Sequence, residues 1–151
     1  MSPVISSSVR VVLDTSVLVT AVRSRNGAAA EVLRLAISGA IRPLLDLKLA
    51  LEYRDVLLRK EHLLASGLSR CTMAYLIDQF EGIAEPVEIV RGYRPLSSDP
   101  GDDMILELAI NGLADAIATN NIRHLRRAAG PFDIQVVTPR ELLLQLMREG
   151  A

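Results

Sequence analysis

The chain has 151 residues, half of them hydrophobic, with 17 basic and 18 acidic side chains and a formal net charge of −1. That length suits one domain with a substantial core, and the balanced charge excludes a protein that coats nucleic acid through many Lys/Arg–phosphate contacts. Only 3% of the residues are aromatic and none is Trp, so the core must be aliphatic, which favours helices packed on a sheet over an aromatic-rich barrel.

In chain order, residues 1–8 read as an extended or disordered N-terminus. "VRVVL" (9–13) reads as a fully buried strand, because its apolar character is continuous rather than alternating. "TSVLVTAVRS" follows as a short helix, and 27–40 as a second one stopped by Gly39. "IRPLL" (41–45) is the next strand, with Pro43 pointing to a place near a sheet edge. Residues 46–64 are expected to form one helix with a charged outer face. Ser69 is placed to cap a helix over 70–84, and a short strand is expected at 87–90. "DPGDDMILELAINGLA" opens a helix with Asp99 at the N-cap and Pro100 at the first helical position. "AIAT" (116–119) is a short strand, "NIRHLRRAA" a basic helix and "IQVVT" (134–138) a last strand. Thr138 and Glu141 form a capping box that opens the final helix, and 148–151 read as a tail. Strands alternating with helices imply parallel pairing through right-handed crossovers, hence one α/β domain with four to five parallel strands.

The single cysteine, Cys71, leaves no internal disulfide or Cys-rich zinc site and is expected to pack as a small apolar residue. His62 is expected at the surface. "MSPVISSSVR" lacks the apolar core of a signal peptide, and no apolar run approaches the ~20 residues that span a bilayer. A cytoplasmic domain with no membrane contact is the expectation.

In open parallel sheets, sites lie at the carboxyl ends of the strands. Asp14 ends the first strand there, as an N-cap for the next helix or as part of a site. Glu52, early in the helix after the second strand, reaches the same edge. Asp99 and Asp102 have duties as cap and first-turn acid, whereas Asp103 has less to do in its helix. Asp115 precedes the strand 116–119 and belongs to the opposite edge. Glu107, one turn beyond Asp103, either supports a metal-bound water or, as the preferred reading, faces solvent. Two carboxylates ~4 Å apart repel by about 4 kcal/mol at an effective dielectric near 20, a cost that a hard divalent cation removes. Mg²⁺ is commonly held by one or two carboxylates with waters and substrate phosphate oxygens. Metal-dependent phosphodiester hydrolysis suits such residues.

"VVLDTSVLVTA", "LALEYRDVLLR", "DPGDDMILELA" and "AIATNNIRHL", in this order, resemble PIN-domain proteins, and among them the VapC-like toxins of toxin–antitoxin pairs. The resemblance covers roughly residues 9–147. It implies a PIN-like α/β/α sandwich, Mg²⁺ or Mn²⁺, endoribonuclease activity on RNA, a homodimer and a small antitoxin that blocks the site. By position, Asp14, Glu52 and Asp103 match the first three acids of the family pattern, with Asp14 and Asp103 as metal ligands. Asn121 stands where many members carry a fourth acid. Thr15, Ser16, Thr119, Arg123 and His124 are candidate substrate contacts. With Arg126 and Arg127, the last two form a basic run that either meets RNA phosphates or is a solvated helix face. Arg23 and Arg25 are further candidates of that kind.

Two rival folds with an Asp after the first strand, receiver domains and haloacid-dehalogenase-type phosphatases, want a late lysine; the lysines here are Lys48 and Lys60. The alternative function is a catalytically weak or inactive PIN-like module that binds RNA or protein, for which Asn121 is the best support.

Overall fold

The computed structural model describes residues 8–90, 92 and 99–149. Five parallel strands form its sheet in the order β3-β2-β1-β4-β5. They are β1 (Val9–Leu13), β2 (Ile41–Leu45), β3 (Glu85–Pro86), β4 (Ala116–Ala118) and β5 (Gln135–Val137). Central β1 is the unbroken apolar run, with Val11, Val12 and Leu13 wholly buried. From β1 the chain steps outward through β2 and β3 on one side and returns through β4 and β5 on the other. That reversal falls between β1 and β4, and the region beyond the carboxyl ends of strands at such a reversal, here the crevice, is where parallel sheets bind ligands.

Helices flank the sheet: α1 (Thr15–Arg23), α2 (Ala28–Ser38), α3 (Leu47–Leu57), α4 (Lys60–Ser66), α5 (Arg70–Ile83), α6 (Pro100–Asn111), α7 (Ile122–Ala129) and α8 (Pro139–Glu149). α6 packs across β1, β2 and β4, α1 packs on α2 and α3, and α2 packs on α8. The core is aliphatic as expected, and Tyr53 and Phe80 meet edge to face within it at 5.8 Å between ring centres. Gly39 ends α2 in the left-handed conformation at φ 87°, which costs other residues about 1 kcal/mol or more. Ser69 and Asp99 cap α5 and α6, accepting from the N–H groups of Thr72 and Gly101. The Thr138–Glu141 box forms reciprocally, at 3.0 Å both ways.

Several expectations need correction. The segment 46–64 is two helices, because Arg59 leaves the helical conformation at ψ 142°. Leu49, Tyr53 and Leu57 form one buried stripe down α3, and the turn after Leu57 lets α4 pack against α1. The third strand sits at 85–86 rather than 87–90. The Arg10 guanidinium grips both carboxylate oxygens of Glu85, Arg42 bonds the same carboxylate, and the Val87 N–H still bonds Leu45 O at 2.8 Å. Pro43 lies where β3 has not yet begun, since pairing with β3 starts at Leu44.

Cys71 is exposed rather than packed. The His62 side chain is only 12% exposed, and its Nδ1 is buried without a hydrogen-bond partner among the described residues. Glu107 is buried, not solvent-facing. The reading of residues 1–8 falls outside the described residues except for Ser8, as do the last two positions of the 148–151 segment. Among the described residues, no helix is long and apolar enough to cross a membrane.

Candidate active site at the carboxyl edge of β1 and β4

Pairing of β1 with β4 sets Leu13 beside Ala118, and the Asp14 N–H continues the ladder to Ala118 O at 2.9 Å. Asp14 and Thr119 therefore leave the sheet side by side. Asp14 occupies the N-cap position of α1, yet its side chain makes no cap hydrogen bond; the capping duty is overturned. Its Oδ2 instead accepts from the Ser16 hydroxyl at 2.9 Å and the Thr119 hydroxyl at 2.7 Å. Thr119 is wholly buried, and its hydroxyl oxygen also accepts from the Asn121 N–H at 2.9 Å. One side chain thus positions the Asp14 carboxylate and the start of α7 together.

Glu52 joins from α3. Its Oε2 accepts from the Thr15 hydroxyl, so this acid is tied to the residue next to Asp14. Tyr53, fully buried, donates its hydroxyl to Leu13 O, which docks α3 onto the end of β1. Burial, and then the negative charges of Asp14, Glu52 and Asp46, hold that phenol well above its ordinary pKa. Tyr53 is therefore a protonated donor.

α6 brings two acids. Asp103 lies on the inward side and is only 5% exposed. Asp102, one residue earlier and half-buried, is crowded by other acids. Its carboxyl is raised above its ordinary pKa by burial first, then by the charges of Asp99, Asp14 and Asp103, against an opposing effect of His124. Sequence reasoning passed over Asp102 because its place in a first helical turn already accounts for an acid there. It also missed Asn120, whose side-chain amide donates to Ser16 O at 3.1 Å and Thr20 Oγ1 at 2.9 Å. That amide staples the first turn of α1 to the loop after β4. Asn121 is exposed and does not cap α7. Arg123 and His124 are exposed on the first turn of α7. Asp115 lies at the other edge, as expected, where it accepts from the Arg10 N–H at 2.8 Å.

The structure thus joins Asp14, Ser16, Thr119 and Asn121 in one hydrogen-bonded chain and Thr15 with Glu52 in a second beside it. Among the described residues, no group of three or more His, Cys, Asp or Glu side chains is gathered closely enough to cage a metal ion. The donor chemistry fits a cation held more openly: Asp14 is half-buried at the carboxyl edge of the sheet, and the charge crowded around Asp102 is of the kind that a divalent ion relieves.

No curated protein and no solved structure matches the chain. The sequence model of the PIN domain matches residues 10–123. PIN domains are generally nucleases and typically use divalent metal ions. The match begins within the strand that leads into Asp14 and stops in the first turn of α7, just past Asn121. It spans every element that builds this crevice, and the chain belongs to the PIN-domain family.

Proposed function

We propose that the protein is a metal-dependent endoribonuclease and serves as the toxin of a toxin–antitoxin pair, acting as a homodimer restrained by a cognate antitoxin. The observation that carries the nuclease reading is the presentation of Asp14. At the point where the strand order reverses, two hydroxyl donors fix one of its oxygens, and a second acid, Glu52, is tied to the adjacent residue. The toxin role, the antitoxin and the dimer rest on the sequence resemblance.

Asp14 and an acid of α6 would hold Mg²⁺ or Mn²⁺, with water and phosphate oxygens completing the shell. Bound there, the cation would supply Lewis acidity toward a phosphodiester. Glu52 is the carboxylate available to take a proton from an attacking water. The Asn121 carboxamide, exposed at the start of α7, offers a neutral oxygen where many family members place a carboxylate. Thr15, Ser16 and Thr119 act through the acids they orient.

The test is cleavage of a mixed RNA pool with Mg²⁺ or Mn²⁺, in chelator, and by Asp14→Asn, Asp102→Asn and Asp103→Asn. Cleavage is expected only from the metal-loaded native chain and from whichever α6 variant leaves the metal-binding acid intact. The family pattern by position makes Asp103→Asn the inactive one, and loss of cleavage in Asp102→Asn instead would move the metal-binding acid to Asp102. A folded native chain that cleaves nothing under any of these conditions sinks the nuclease reading in favour of a binding module.

A further inference from the structure

α7 starts at the site, through the Asn121 N–H on the Thr119 hydroxyl, and four of its eight residues are Arg123, His124, Arg126 and Arg127, with no acid among them. Leu125 and Ala129 turn inward and are buried, which leaves these basic residues on the outer face. The chain as a whole carries a net charge of −1, and the crevice itself is acidic. Without a bound cation, a polyanion is therefore drawn to this site only by a local basic surface.

The three arginines are not equivalent. Arg126 donates to Val136 O at 2.9 Å and lies 3.8 Å from the Glu141 carboxylate, so it is engaged by β5 and the start of α8. Arg123 and Arg127 make no hydrogen bond or ion pair among the described residues, and with Ile122 and Arg126 they line a shallow depression on the surface. They stand one turn apart, about 5–6 Å between their Cβ atoms. His124 is exposed on the first turn of the same helix.

We propose that Arg123 and Arg127 are the phosphate-binding pair that seats an RNA strand leading into the crevice, and that Arg126 is a structural clasp for β5. The identity of the polyanion as RNA rests on the nuclease reading; the division of labour among the arginines rests on their partners.

The experiment is RNA binding by the full chain, followed by fluorescence anisotropy of a short end-labelled RNA of mixed sequence. It is run in chelator, without divalent cations, across a series of KCl concentrations. Each phosphate contact on a single strand contributes about 0.7 to the slope of log K against log salt. Replacing both Arg123 and Arg127 with Gln is expected to reduce the slope by about 1.4 and to leave the melting temperature unchanged. Arg126→Gln is expected to keep the native slope and lower the melting temperature.

An unchanged slope in the double variant overturns the proposal. So does an equal loss in Arg126→Gln, an absence of RNA binding by the native chain at low salt, or displacement of RNA by polyglutamate as readily as by unlabelled RNA. Because no divalent cation is present, the outcome is independent of cleavage. Arginine-dependent binding without cleavage in Mg²⁺ fails the nuclease reading alone, and cleavage with an arginine-independent slope fails this proposal alone.

Discussion

The Asp14 carboxylate takes its hydrogen bonds from two hydroxyls that arrive from different directions, Ser16 from the first turn of α1 and Thr119 from the end of β4. A hydrogen bond to an ionised group contributes about 1.5–3 kcal/mol, and each 1.4 kcal/mol is a factor of ten in rate. Ser16→Ala and Thr119→Val are each expected to lower cleavage by roughly ten- to a hundredfold through loss of that orientation, with the fold retained, as checked by single-turnover cleavage beside circular dichroism. Asp102 is crowded by like charges in a partly buried place. Asp102→Asn is therefore expected to raise the melting temperature of the cation-free protein at neutral pH. A calorimetric scan showing a lower value would mean that Asp102 is held by favourable contacts instead.

Asp14 and Glu52 were legible in the sequence because each follows a strand in a parallel sheet. Asp102 was not, because a first-turn acid is fully accounted for by its own helix. Asn120 was not legible either, since nothing local distinguishes a staple to α1 from a loop polar residue.

At the scale of elements, the Tyr53 phenol helps to hold α3 to β1. Tyr53→Phe leaves Leu13 O without its buried donor, a loss of about 1–3 kcal/mol that urea denaturation would measure. It should also weaken activity, because Glu52 rides on the same turn. The capping box at α8 is a local matter, and Thr138→Ala is expected to cost about 1 kcal/mol. The caps and the box were readable from four-residue patterns. The break between α3 and α4 was not, for it contains neither Pro nor Gly and is imposed by packing against α1. The place of β3 likewise depends on Arg10 and Arg42, both distant in sequence, meeting Glu85.

That cluster gives a pH dependence. Arg10 chiefly, through its hydrogen bonds, and then Arg42 hold the Glu85 carboxyl below its ordinary value, so its folded pKa lies under its unfolded one. The contribution is complete above the ordinary carboxylate range and disappears as pH falls through the lowered value. Glu85→Gln should consequently melt earlier than the native chain at pH 7, and the gap should close in acid.

At the scale of the whole molecule, the alternation of strands and helices dictates parallel pairing, and the reversal of strand order at β1 decides where a site can open. If the crevice takes a divalent cation, adding Mg²⁺ raises the melting temperature of the native chain by mass action. The same addition should do nothing measurable for Asp14→Asn. An equal rise in both proteins would place the cation elsewhere.

The bond between Thr119 and Asp14 spans most of the chain, and the Thr119 N–H is itself anchored to Val137 O. A polypeptide leaving the ribosome from its N-terminus delivers Asp14 and Glu52 first and the strand that orients Asp14 much later. During its own synthesis the protein therefore carries Asp14 and Glu52 before β4 and β5, which bring and anchor the Thr119 hydroxyl, have emerged.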